Sequence, residues 1–161
     1  MSKGVVLQNP DQYPVDVARL KRASSAVLAA HPEYRAGSLS LVITDSKTVA
    51  ALNAKHRHTD APTDVLAFPA GARLDGVEED ETYIGDVIIA RDYAAARAQA
   101  ANTPLDDVLC LLVIHGVLHL VGYEHESPAG KAEMWQAQER ALLSAGVSSQ
   151  VVEDYGNSEN D

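Results

Sequence analysis

Three histidines lie close together in the second half of the chain: His115, His119 and His125 fall within eleven residues. Histidines at positions i and i+4 project from one face of a helix, so His115 and His119 can bind one metal ion between them. Gly122 favours a left-handed helix end, which lets the chain turn back and bring His125 to the same ion. Three neutral imidazoles leave one tetrahedral position open, as in catalytic zinc sites. We therefore predict one Zn²⁺ per chain at a helix end.

The residues alone also allow other interpretations of this histidine cluster. Nickel and copper also accept three imidazoles, and zinc is favoured by its availability. The histidines could instead be ordinary hydrogen-bonded residues of a helix and a loop. The spacing from His119 to His125 also equals that of the zinc-protease motif H-E-x-x-H-x-x-G-x-x-H. Position 116 is Gly, however, so the glutamate that serves those proteases as general base is missing. A metal-dependent hydrolase of another substrate remains an alternative function.

Two further residues are candidates for catalysis. Arg57 belongs to the basic tetrapeptide Lys55-His56-Arg57-His58, which at a helix end can simply be solvated and favoured by the helix dipole. A guanidinium can also hold a phosphate through two parallel hydrogen bonds, so we predict that Arg57 contacts phosphate. Glu124 precedes His125 and is the candidate general base, with orientation of a ligand histidine as its alternative role.

The sequence resembles the YbeY-type endoribonucleases. Residues 115–125 match the family stretch H-G-x-L-H-L-x-G-Y-D-H, and residues 52–69 match L-N-x-x-Y-R-x-x-D-x-P-T-D-V-L-S-F-P. A strand similar to G-D-I-V-I occupies residues 85–89, and the resemblance spans most of residues 41–143. The departures are Glu124 for the usual Asp, Ala67 for Ser and His56 for Tyr.

The resemblance implies a single-domain metalloprotein with a small mixed sheet. It implies action on single-stranded RNA during ribosomal RNA maturation, notably near the 3′ end of the small-subunit RNA, and in ribosome quality control. His115, His119 and His125 are then the zinc ligands and Arg57 the phosphate-facing arginine. Expected partners are ribosomal RNA, ribosomal subunits and assembly factors. The alternative is a ribosome-assembly or adaptor protein whose zinc is mainly structural.

The charge distribution is compatible with an RNA substrate. The chain has 161 residues with 13 basic and 23 acidic side chains, a net charge of −10, which at first argues against nucleic acid. Nine of the acids lie in residues 75–81 and 153–161, two segments without Lys or Arg. The other 14 acidic residues nearly balance the 13 basic ones, so a local basic surface is possible.

The composition of the chain also indicates its cellular location. The longest apolar run is Val108 to Ile114, far shorter than a membrane span. The single cysteine, Cys110, excludes an internal disulfide, and its apolar neighbours predict a buried, inert thiol. The N-terminal segment has no apolar stretch of signal-peptide length. We expect a cytoplasmic protein that does not contact membranes.

Hydrophobic periodicity predicts a single α+β domain with about four strands and about five helices, and the resemblance implies that the four strands form one small mixed sheet. The predicted strands are residues 5–7, 38–44, 63–68 and 83–90, and the predicted helices are 15–30, 46–55, 91–101, 103–122 and 127–146. The metal site falls at the end of the fourth helix. The domain is predicted to cover residues 1–146, followed by an acidic, flexible tail over 147–161.

Overall fold

A four-stranded mixed sheet forms the centre of the computed structural model, which describes residues 4–57, 63–70 and 83–156. The strands are β1 (Val5–Gln8), β2 (Ser38–Thr44), β3 (Val65–Pro69) and β4 (Tyr83–Ala90). Their order in the sheet is β1-β2-β4-β3. β1, β2 and β4 are mutually parallel, and β3 runs antiparallel to β4. The four predicted strands and the mixed sheet are confirmed.

The described residues contain six α-helices. They are α1 (Val17–Ala29), α2 (Ser46–Arg57), α3 (Arg91–Ala100), α4 (Leu105–Leu120), α5 (Pro128–Ser144) and α6 (Gln150–Gly156). A short 3-10 helix, Pro32–Tyr34, precedes β2. The first five α-helices correspond to the predicted ones, and α6 is additional.

The two faces of the sheet carry different helices, because successive strand side chains point to opposite faces. Val87 and Ile89 of β4 belong to the larger core, together with α1, α4 and α5, whereas Ile88 and Ala90 pack with Val49 of α2. In α4, 11 of 16 residues are buried, as expected of a helix that is apolar nearly all round. No helix of the described ranges is long and apolar enough to cross a membrane. The central, buried helix α4 therefore holds the residues of its last turn in place.

The prediction of a flexible tail does not hold for residues 147–156. Gln150–Gly156 form α6, and Val147, Val151 and Tyr155 are each at most 4% exposed. Val151 and Tyr155 lie four positions apart on one face of α6, and Val147 precedes the helix. Burial of these three side chains outweighs the acidic character of the segment. The packed part of the chain extends to Tyr155, and residues 157–161 lie outside the described residues.

Candidate metal centre

The end of α4 determines where the histidines lie. His115 and His119 are one helical turn apart, with ring centroids separated by 4.8 Å. The helix then ends in a Schellman motif, in which the N–H of Tyr123 donates to the carbonyl of Leu118 and the N–H of Gly122 to that of His119. Gly122 has φ +105°, a conformation that side-chain-bearing residues rarely adopt. The chain is thereby turned back toward the helix end.

This turn brings His125 to the two helical histidines. Its ring centroid lies 5.4 Å from that of His115 and 5.0 Å from that of His119. One potential ligand nitrogen from each of the three residues lies within 4.8 Å of the others. The Nε2 atoms of His115 and His119 are 3.2 Å apart, close to the roughly 3.3 Å between two corners of a tetrahedron with Zn–N bonds of about 2.0–2.1 Å. The three predicted ligands therefore fit one small cation.

Hydrogen bonds on the far side of two rings prepare them for metal binding. Nδ1 of His119 is 3.1 Å from the backbone carbonyl of Tyr123, and Nδ1 of His115 is 3.1 Å from Oε1 of Gln138. Both oxygens can only accept, so each Nδ1 carries the proton and each Nε2 presents its lone pair. Burial, and then the neighbouring His119, lowers the pKa of His115 to about 4, which keeps this imidazole neutral. These donors suit a metal that prefers imidazole nitrogen.

Glu124 lies in the loop that carries His125, with its carboxylate directed to the start of α5. Oε2 accepts hydrogen bonds from the backbone N–H groups of Glu126 and Ser127, and Oε1 accepts one from the Ser127 hydroxyl at 2.8 Å. Ser127 Oγ in turn accepts from the N–H of Gly130 and caps α5. The side-chain hydrogen bond from Ser127, then the backbone bond from Glu126, lowers the pKa of Glu124. These contacts hold the loop that presents His125.

Gly116 lines the same cleft as the histidines and lies against the sheet there. A Cβ atom on Gly116 would lie 2.6 Å from Cγ1 of Val87 and 3.5 Å from Cγ2 of Val65. Both valines belong to strands under α4, and Val87 is fully buried. The Cβ of a glutamate would already overlap Val87, so the fold leaves no room for the general base of a zinc peptidase at this position.

The histidines open into a cleft of about 630 Å³. Its walls come from β3 and the residues before it, from α4 and α5, and from α6. The cleft is lined by the polar and aromatic side chains of His115, His119, His125, Asp64, Lys131, Trp135, Gln138, Tyr155 and Asn53. A wide opening at three ligands differs from a structural zinc site, which is closed by four protein ligands.

Arg57 is the last residue of α2, and its side chain lies outside the described residues. Asn53, four positions earlier in the same helix, lines the cleft. Since positions i and i+4 share one face of a helix, residue 57 occurs on the face of α2 that borders the cleft.

Three interacting side chains, the buried Tyr155 and the partly buried Asp64 and Arg97, lie on the β3 and α6 side of the cleft. The Tyr155 hydroxyl donates to Oδ2 of Asp64 at 2.7 Å, and Nη1 of Arg97 lies 3.4 Å from the same oxygen. The Arg97 guanidinium carbon is also 4.3 Å from the centre of the Tyr155 ring. Burial, then the charge of Asp64, raises the pKa of Tyr155. This group joins β3, α3 and α6 and neutralises the carboxylate that faces the cleft.

Three cleft residues on α5 were not predicted as site residues: Lys131, Trp135 and Gln138. Gln138 is 2% exposed and stands among the buried Met134, Ala137 and Ala141. An amide on the apolar face of a helix is the signal that could have identified it, because a buried polar group needs a specific partner.

The fold and the cluster together define a class of protein: an α+β domain whose three convergent histidines face an open cleft. The family model described as Endoribonuclease YbeY matches residues 7–146. The chain belongs to the endoribonuclease YbeY family.

Individual relatives agree with this membership. Proteins named Endoribonuclease YbeY from Mycolicibacterium paratuberculosis and Mycobacterium tuberculosis are 36% and 34% identical over 152 residues, covering 91% of this chain and 85% of each relative. One from Rhodococcus opacus is 34% identical over 143 residues, covering 86% of this chain and 79% of the relative. The solution structure of TM1509 from Thermotoga maritima is similar in fold, with a TM-score of 0.58 at 23% identity and coverage of 98% and 96%.

Proposed function

We propose that this protein is a zinc-dependent endoribonuclease that cuts single-stranded RNA in ribosomal RNA maturation, near the 3′ end of the small-subunit RNA, and in ribosome quality control. Family membership supports the ribonuclease activity. The observation that carries the metal dependence is the convergence of three histidine nitrogens at the wall of an open cleft. Ribosomal subunits and assembly factors in the cytoplasm are the proposed partners.

We propose the following roles for the chain's own residues. His115, His119 and His125 would hold the ion, which when bound supplies a Lewis acid toward a phosphate oxygen. Gln138 and the Tyr123 carbonyl keep the imidazoles in the tautomer that can bind it. Arg57 is proposed to bind the scissile phosphate and to neutralise the charge that develops on it.

Glu124 is proposed to position His125 through the turn that it stabilises. Both of its oxygens accept hydrogen bonds within residues 124–127. Its role as general base stays a prediction. Glu124→Gln separates the two, because loss of a base lowers cleavage at full zinc occupancy, whereas loss of a turn contact first weakens zinc binding.

The first experiment measures zinc and cleavage in parallel. His119→Ala should lose both zinc and cleavage. Arg57→Ala should keep zinc and thermal stability while single-turnover cleavage of single-stranded RNA falls by about 100-fold, the scale of one lost transition-state contact. Arg57→Lys should recover part of the loss, since an ammonium cannot make two planar hydrogen bonds.

Lys47→Ala is the matched control, because Lys47 is an exposed cation at the other end of α2. It should leave cleavage unchanged. Wild-type cleavage by Arg57→Ala at matched zinc loading would refute the phosphate contact. Unaltered precursor ribosomal RNA ends in cells that carry His119→Ala at equal protein level would instead favour the adaptor function.

A further inference from the structure

One face of α5 forms a wall of the cleft. Lys131, Trp135 and Gln138 are spaced four and three residues apart, so they occupy one face of the helix, and all three line the cleft. Their exposure rises along the helix, from the buried Gln138 beside His115, through the half-buried Trp135, to the exposed Lys131. The stripe therefore leads from the histidine cluster to solvent.

Trp135 is held next to the histidines. Its ring centroid is 6.0 Å from those of His115 and His125, and its plane is nearly perpendicular to both, at 86° and 87°. Neither histidine ring therefore stacks flat on the indole. Gln138 supplies the hydrogen bond to His115, whereas Trp135 meets His115 and His125 through edge-to-face ring contacts.

A cation accompanies the indole on the solvent side. Lys131 Nζ lies 5.4 Å from the centre of the Trp135 ring. An aromatic ring beside a positive charge in a groove is the combination that binds single-stranded nucleic acid, since the ring stacks on a base and the cation contacts the backbone. The acid that lines the same cleft, Asp64, is paired with Arg97 and does not oppose this charge pattern.

We propose that Trp135 stacks on one unpaired base of the RNA that occupies the cleft, and that Lys131 contacts an adjacent phosphate. This inference rests on the proposed function and adds to it the group that recognises an unpaired base. A base within a duplex is stacked on its neighbours and its face is covered, so such a platform favours single strands.

Fluorescence gives a direct test, because Trp135 is the one tryptophan in the chain. Mixing the zinc-loaded protein with a short single-stranded RNA in a stopped-flow instrument should quench its tryptophan emission before cleavage occurs. The same sugar-phosphate backbone without bases should quench little at saturation. Full quenching by the abasic strand, or saturation by the base-bearing strand with unchanged emission, would overturn the proposal.

Affinity measurements separate stacking from a structural role. Trp135→Ala should weaken binding of the base-bearing strand by about tenfold or more, which equals about 1.4 kcal/mol, and should leave binding of the abasic strand nearly unchanged. Trp135→Phe should retain most of the affinity and all of the zinc. Equal losses on both strands, or equal affinity of wild type and Trp135→Ala for both, would refute stacking.

One control variant and one variant of the phosphate contact complete the design. Leu143→Ala changes a side chain of α5 that is 64% exposed and should alter neither binding nor quenching. Lys131→Gln should reduce the salt dependence of binding by about one phosphate contact on both strands.

If wild type binds RNA with quenching but does not cut it, the proposed function fails and the stacking stands. If wild type cuts RNA and Trp135→Ala binds and cuts equally well, the stacking alone fails.

Discussion

Substitution of Tyr155 tests whether α6 belongs to the folded domain. The side chain is 3% exposed, its ring lies 4.3 Å from the guanidinium carbon of Arg97, and its hydroxyl donates to Asp64 at 2.7 Å. Tyr155→Phe keeps the ring and removes the hydrogen bond to a charged acceptor. Tyr155→Ala removes the ring as well and leaves a cavity between α3, β3 and α6.

The two variants should lower the free energy of unfolding by different amounts. Loss of a hydrogen bond to a charged group costs about 1.5–3 kcal/mol, and Asp64 retains its contact with Arg97. Truncation of a buried aromatic ring costs about 3–5 kcal/mol. At about 2–4 °C per kcal/mol for a domain of this size, Tyr155→Phe should lower Tm by roughly 3–12 °C. On the same scale, Tyr155→Ala should lower Tm by roughly 6–20 °C.

Urea unfolding followed by circular dichroism and by Trp135 fluorescence measures both variants. Leu143→Ala, an exposed apolar truncation, is the control and should change stability by no more than about 0.5 kcal/mol. A chain that ends at Gly146 lacks three buried side chains, Val147, Val151 and Tyr155, and should lose at least as much as Tyr155→Ala. Wild-type stability of Tyr155→Ala and of the shortened chain would refute the packing of α6 and restore the flexible tail.

Three other predictions concern α4 and its partner on α5. Gly116→Val should lower the free energy of unfolding by about 1–3 kcal/mol, because its side chain would overlap Val87, and an unchanged urea midpoint would contradict this contact. Cys110 is 1% exposed, and burial raises the pKa of its thiol to about 11. A thiol reagent should therefore modify the native protein far more slowly than the urea-unfolded protein. Equal modification rates would disprove the burial of Cys110. Gln138→Leu keeps the side-chain size but removes the acceptor for Nδ1 of His115. The variant should fold, and competition with a chelator should show a zinc affinity about 10- to 100-fold lower than that of wild type. Unchanged affinity would show that this hydrogen bond does not contribute to zinc binding.

The ligand cluster could be predicted from the sequence because its geometry is local. His115 and His119 are fixed by helical spacing, and Gly122 supplies the one backbone conformation that returns His125 to them. No long-range packing has to be known for these three side chains to meet. The strands were predictable for a similar reason, since continuous apolar runs with Gly and Pro boundaries are typical of buried strands.

The rest of the cleft depends on contacts between distant segments. Gln138 meets His115 across 23 positions, and Tyr155 meets Asp64 across 91, so no short motif contains either pair. The four-residue spacing of Val147, Val151 and Tyr155 can be read from the sequence, but the neighbouring acids Glu153 and Asp154 make the average composition of this segment polar. Helix formation there follows burial of one face and not the mean polarity of the segment.

Gly116 shows how one residue serves both fold and function. In the sequence, Gly116 occupies the position of the glutamate in the zinc-protease motif, so a peptidase function is disfavoured. In the fold, the same glycine lets α4 lie against Val87 and Val65, and any larger residue would push the helix outward. His115 precedes it and His119 follows three residues later, so an outward shift would carry both ligands away from the cleft wall formed by β3. The position at which glycine replaces the glutamate of a zinc peptidase is therefore also the position that sets how deep the histidine cluster lies in the cleft.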